Sequence, residues 1–145
     1  MVVLRNPDEP LYAICSDALD KPGYVLKLGT DGKVAKATSN DVPFGIAYTS
    51  TKDPITEQAQ SNVEVAVIPV RSGFVVKVLK ETGAGKSLSP GDYVAVGSTD
   101  GVVDKWSADT TDAGTLLASL KKIVGKVIEA AGENDEYAVV KLVGI

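Results

Sequence analysis

Apolar positions along the chain come in short runs rich in valine, each broken by glycine, proline or an Asp-Gly pair. Such punctuation predicts strands joined by tight turns. Tyr24 to Leu28 and Val34 to Ala37 flank Asp31-Gly32, the signature of a hairpin whose turn needs positive φ. Pro43 to Tyr48 reads as a strand in which Gly45 marks a bulge or a close backbone approach. Val63 to Val70 is apolar on both faces, as in a closed barrel or a covered sheet. Phe74 to Leu79 follows, then a Gly-rich loop over Glu81 to Ser89. Tyr93 to Val96 and Val102-Val103 flank a second Asp-Gly pair, Asp100-Gly101. Ile123 to Ala130 and Tyr137 to Val143 read as the last two strands, separated by the turn Gly132 to Asp135. Two stretches depart from this pattern. Thr49 to Asn62 is polar, contains Pro54, and reads as a loop with at most one helical turn. Asp112 to Leu120 predicts one short helix, with Asp112 as cap and Leu116, Leu117 and Leu120 on one side.

The first residues read differently. Asn6-Pro7-Asp8-Glu9-Pro10 resists both helix and central strand, and apolar residues lie on either side of it. Residues 1–12 therefore read as an extended arm, either a frayed end or a segment that docks on a partner. Residues 1–20 are assigned to the arm and a first strand, and 21–145 to one barrel-like domain.

The chain also repeats itself. PGYVLKLGTDGKV from Pro22 matches PGDYVAVGSTDGVV from Pro90. More loosely, Phe44-Gly45-Ile46-Ala47 matches Val124-Gly125-Lys126-Val127, and NVEVAVIPV from Asn62 matches EYAVVKLVG from Glu136. The repeats span about 22–79 and 90–145. Neither half has enough apolar surface to close a core alone, so the two should pair into one small all-β barrel or sandwich.

Composition then removes most catalytic chemistry. The 145 residues include no histidine, so imidazole bases, Ser-His-Asp triads and His-ligated metals are excluded. The single cysteine, Cys15, allows no intrachain disulfide and reads as a small buried hydrophobe. A net charge of −4 with dispersed lysines argues against nucleic acid as a partner. The opening apolar run is too short for a signal peptide, and no stretch is long enough to span a membrane. The expectation is a soluble protein made in a cytoplasm.

Gly83-Ala84-Gly85-Lys86-Ser87 looks like the end of a phosphate-binding loop, but Lys80 stands where its first glycine belongs and Pro90 stops any following helix. The carboxylates Asp53 and Glu57, and Glu133, Asp135 and Glu136, fall in predicted turns. They and Asp109 and Asp112 read as solvated charge rather than as an acid–base pair or a calcium loop. No catalytic residue, cofactor or metal ligand is assigned. Trp106, the only tryptophan, reads either as a cap on the barrel or as an interface anchor. Arg5 on the arm is a candidate contact.

PGYVLKLGTDGKVAKA, PFGIAYTS, NVEVAVIPV, LSPGDYVAVGSTDGVVDKW and IVGKVIEAAGENDEYAVVKLV together resemble the capsid decoration, or cement, proteins of tailed viruses of bacteria and archaea. The resemblance covers roughly residues 20–145. It implies a β-tulip-like domain that binds the outside of an assembled icosahedral shell as a trimer at three-fold positions. The partner would be the major capsid protein of the same virus and the location the virion surface. An extended terminal arm makes part of the contact in such proteins, which here points to Val2, Val3, Leu4, Arg5, Leu11 and Tyr12, with Trp106 as a further contact. The stretches 49–62 and 106–122 are insertions relative to short family members. The competing readings are a tail or receptor-binding component, or a domain that binds a glycan or small ligand; an enzyme is the weakest.

Overall fold

The computed structural model describes residues 11–143. The strands are β1 (Leu11–Cys15), β2 (Val25–Leu28), β3 (Val34–Lys36), β4 (Gly45–Ala47), β5 (Val63–Pro69), β6 (Val75–Leu79), β7 (Tyr93–Val96), β8 (Val103–Lys105), β9 (Gly125–Val127) and β10 (Tyr137–Leu142). One helix, α1 (Ala113–Leu120), lies between β8 and β9. The protein is all-β, as its sequence pattern predicts. β1, β3, β2, β4 and β5 close into a barrel, and β6, β10, β9, β7 and β8 form a second sheet.

The two sheets repeat one topology. Written from the hairpin outward, the orders are β3-β2-β4-β5-β1 and β8-β7-β9-β10-β6. Matching hydrogen bonds recur at matching places. Phe44 N–H donates to Leu26 O and Val124 N–H to Val94 O, both at 2.8 Å. Gly23 N–H donates to Ala47 O and Gly91 N–H to Val127 O, again at 2.8 Å. The parallel contact Cys15↔Val34 that closes the barrel has its counterpart in the bridge Lys80↔Val103.

This moves the repeat boundaries. The halves are 11–70 and 75–143, and β6 opens the second half rather than ending the first. The reason is β1, which pairs antiparallel with β5 over all five of its residues and supplies the fifth strand. With that strand the first half closes as a barrel, around a core built on Cys15, Leu19, Leu26, Val34, Val65 and Val67 that also takes in Leu79 of β6. The arm boundary is corrected: Leu11 and Tyr12 belong to the barrel.

The second sheet borrows from the first in turn. Its core includes Val25, Ala37, Ile46 and Val70, which face out of the barrel. Strand alternation forces this division, since Leu26 and Ala47 point inward while their neighbours Val25 and Ile46 point outward. Three backbone bonds seal the junction: Val25 N–H to Gly101 O (2.8 Å), Gly101 N–H to Ala37 O (2.7 Å) and Leu79 N–H to Gly23 O (3.0 Å). The Asp100-Gly101 hairpin is thus both a turn and a docking point. Gly101 has φ +74°, and a Cβ there would lie 2.9 Å from the Tyr24 ring.

The repeated strand glycines are close approaches, as read for Gly45. A Cβ on Gly45 would sit 2.8 Å from Ile68 O, and one on Gly125 2.5 Å from Lys141 O. The loop 49–62 contains one hydrogen-bonded turn, Glu57 N–H to Asp53 O, and is tied down where the buried Thr51 accepts from Leu19 N–H at 2.8 Å. β9 ends sooner than the apolar run suggests, because Ala131 turns back to pair with Leu88.

Candidate contact surface

Val2, Val3, Leu4 and Arg5 lie outside the described residues. Leu11 pairs with Val67 and packs against the barrel core. Tyr12 pairs with Ala66 and is 67% exposed. On the other side of Ala66, Tyr48 donates its N–H to Ala66 O at 2.8 Å and is itself 63% exposed. Val65 and Val67 point into the barrel, so Ala66 points out, yet it is only 5% exposed. Tyr12 of β1 and Tyr48, the residue after β4, lie on either side of it. With Ile14 also exposed on β1, the outer face of the barrel carries an apolar, aromatic strip on a rigid sheet. Surface patches of this kind mark interaction sites more often than isolated apolar residues do.

The strip runs into a cleft of about 350 Å³ between the two sheets. Ile46 and Ile68 line it from the barrel, Tyr48 and Pro22 from its rim, and Val75 and Tyr137 from the second half. Sequence reasoning missed Tyr48 and Val75. Both sit in runs legible as strands, but their exposure follows from which neighbour covers each face, and the alternating pattern does not carry that.

Trp106 is engaged internally. Its indole N–H donates to Ser119 O at 2.9 Å, and its ring meets Tyr93 edge-on at 6.3 Å. It holds α1 against β7 and β8, which fits the cap reading better than the anchor reading. The helix begins as its sequence predicts, with Asp112 Oδ1 accepting from Thr115 N–H at 2.7 Å.

The remaining candidate chemistry is committed to the fold. Lys86 bonds Asp104 at 2.6 Å, and that carboxylate holds its ammonium above the usual range. The backbone of the GAGKS loop is tied down by Gly83 N–H to Glu133 O and Leu88 N–H to Ala131 O. No helix follows, so phosphate-cradling geometry does not form. Asp53 accepts from Ile55 and Thr56 N–H, which lowers its pKa. Asp109 is lowered by Thr111, and Asp135 accepts from Gly132 N–H. Glu136 pairs with Lys21. Among the described residues no three His, Cys, Asp or Glu side chains converge on a point that could hold a metal. Cys15 is buried, and desolvation pushes its thiol up, away from thiolate reactivity.

Among the described residues Lys80 is the one buried cation. It is 3% exposed, and its ammonium donates to Glu81 O (2.8 Å) and Asp135 O (3.2 Å). Desolvation lowers its pKa. It occupies the position that Cys15 fills in the first half.

No helix among the described residues is long and apolar enough to cross a membrane. Searches against models of known protein families and against curated proteins find no match to this chain.

Proposed function

We propose that this chain is a non-enzymatic capsid decoration protein that binds the outer surface of an assembled icosahedral shell, as a trimer at three-fold positions, and stabilises it. The observation that carries the reading is the Tyr12–Ala66–Tyr48 strip, an exposed apolar surface on a closed barrel. A cement protein needs a stiff scaffold and an adhesive face rather than a reaction centre. The strands that carry the resemblance are the ones that build both sheets and their matched hairpins. A protein that binds only the assembled shell stabilises it by mass action, and many symmetric contacts add through avidity.

The test is the copy number of this chain in purified tailed-virus particles from the source of the sequence, measured by quantitative mass spectrometry. Close to one copy per major shell subunit supports decoration. A few copies per particle indicate a tail or receptor-binding component, and absence from particles ends the virion reading.

A further inference from the structure

The two halves of the chain meet head to tail. In matching positions of the repeat, the cross-strand pair Leu79 and Tyr137 corresponds to Ile14 and Glu64. The pair Ile46 and Ile68 corresponds to Lys126 and Lys141. At the junction Leu79 N–H donates to Gly23 O, and Gly101 is bonded between Val25 and Ala37. Tyr137 faces Ile46 and Ile68 across the cleft. A two-fold junction would use the matching set of positions as well, with Gly32 seated on Tyr93 and Trp106 of the same molecule. The structure shows otherwise. Gly32 N–H donates to Gly29 O within its own turn. Ile14 is 39% exposed where its counterpart Leu79 is 3%, and Tyr93 is 40% exposed where Val25 is fully buried. Each molecule therefore carries both sides of its own junction a second time, and leaves them facing solvent. A head-to-tail contact of this kind repeats from copy to copy, closing into a ring or running on as a fibre.

The two solvent-facing sides are complementary in charge. Inside the molecule apolar Tyr137 faces apolar Ile46 and Ile68. At the matching positions an acid, Glu64, stands opposite two bases, Lys126 and Lys141, and all three are exposed. Paired opposite charges of this kind fix register and select the partner. Apolar surface accompanies them on both sides. Ile14 lies beside Glu64, and the Lys126 ammonium lies 5.8 Å from the centre of the Tyr93 ring. Ile128, also exposed, bonds to Val139 O as Tyr48 of the cleft bonds to Ala66 O.

We infer that a second copy of this chain docks here, its Gly32 hairpin and Ile14–Glu64 pair seated on Tyr93 and the Lys126–Lys141 pair. The contact rests on the self-association that the proposed trimer requires, and not on a shell. Absence from virus particles would leave it standing, and a chain that never associates would end it without touching the particle count.

Sedimentation equilibrium of the full chain over a range of concentrations tests it. The average mass should rise with concentration past that of two copies. Glu64→Lys should weaken association about tenfold or more, and Lys141→Glu should do the same from the opposite side. A chain carrying Glu64→Lys, Lys126→Glu and Lys141→Glu together should associate as the parent does. The mass of a single chain at every concentration overturns the inference. So does an assembly that stops at two copies, which marks an isologous contact. Association that Glu64→Lys leaves intact, or that the triple variant fails to restore, overturns it as well. The three positions are exposed, so each variant should melt with the parent; if one unfolds, the variant on the opposite side carries the same reading.

Discussion

Replacing Gly101 with alanine tests whether the two halves dock through their repeated hairpins. Gly101 has φ +74°, so any L-residue there adopts the left-handed region, at a cost of about 1–2 kcal/mol. The new Cβ would also lie 2.9 Å from Tyr24 Cδ1 and 3.3 Å from Val25 O. Both contacts lie on barrel strand β2 or immediately before it, and neither can retreat freely. The Tyr24 ring is fixed by its hydroxyl, which donates to Asp20 Oδ1 at 2.6 Å, and Val25 O is bonded to Ala37 N–H. Overpacking of this kind costs a further ~1–3 kcal/mol. The internal repeat supplies the control. Gly32 holds the same place in the first hairpin at φ +79°, with nothing within 4 Å of an added Cβ. Gly32→Ala therefore bears the backbone cost alone. Urea unfolding followed by circular dichroism should place the Gly101→Ala midpoint well below that of Gly32→Ala, by about 1–3 kcal/mol at unchanged slope. In a chain of this length that gap corresponds to roughly 2–4 °C of melting temperature per kcal/mol. Equal midpoints for the two variants would refute the docking geometry, because only the contact with Tyr24 and Val25 distinguishes the sites.

Asp112→Ala removes the cap that Thr115 N–H donates to, so α1 should fray and the Trp106 emission shift to the red while the strand signal persists; unchanged emission would separate the helix from its cap. Stability should fall at both ends of the pH range. The bond from Tyr24 holds the Asp20 carboxyl below its usual value, so its contribution is present above pH 3.8 and lost as the pH falls through the lower, folded value. Burial, and then the same bond, pushes the Tyr24 hydroxyl up, so its contribution is present below pH 10 and lost as the pH rises beyond it. Tyr24→Phe should flatten the alkaline limb of a stability–pH curve, and an unchanged limb would place the titration elsewhere. Lys86→Ala should leave nucleotide addition without effect on the melting temperature, as in the parent chain, because that lysine is paired with Asp104 rather than aimed at a phosphate; a nucleotide-dependent rise in the parent that the variant loses would overturn this.

The hairpins and the capped helix were legible because each has a local cause. Asp-Gly sets a positive φ wherever it falls, and Asp112 caps through its own side chain three residues on. The strand glycines were legible for a similar reason, since a glycine inside an apolar run marks a place where another backbone comes close. β1 was not. Leu11 to Cys15 follows a Pro-rich stretch and reads as the end of an arm, and only the pairing with β5, about fifty residues away, makes it a barrel strand. The contact strip was hidden for the same reason. Tyr12 and Tyr48 are 36 positions apart in sequence, and Ala66, which joins them, is a small residue with no signal of its own.

The repeat was visible in the sequence, but the exchange of core residues between its halves was not, and that exchange makes the molecule one unit. In the first half Cys15, a small apolar side chain buried in the barrel core, makes the closing contact with Val34. In the second half the matching residue is Lys80, whose ammonium needs polar partners and takes two backbone carbonyls. Lys80 still makes the parallel bridge to Val103, and Glu81 N–H donates to Val103 O at 2.8 Å as Ser16 N–H does to Val34 O at 2.9 Å. Val25, Ala37 and Ile46 of the barrel pack into the core of the second sheet, and Leu79 of β6 packs into the core of the barrel. Two copies of one five-stranded plan that exchange core residues in this way make a single body.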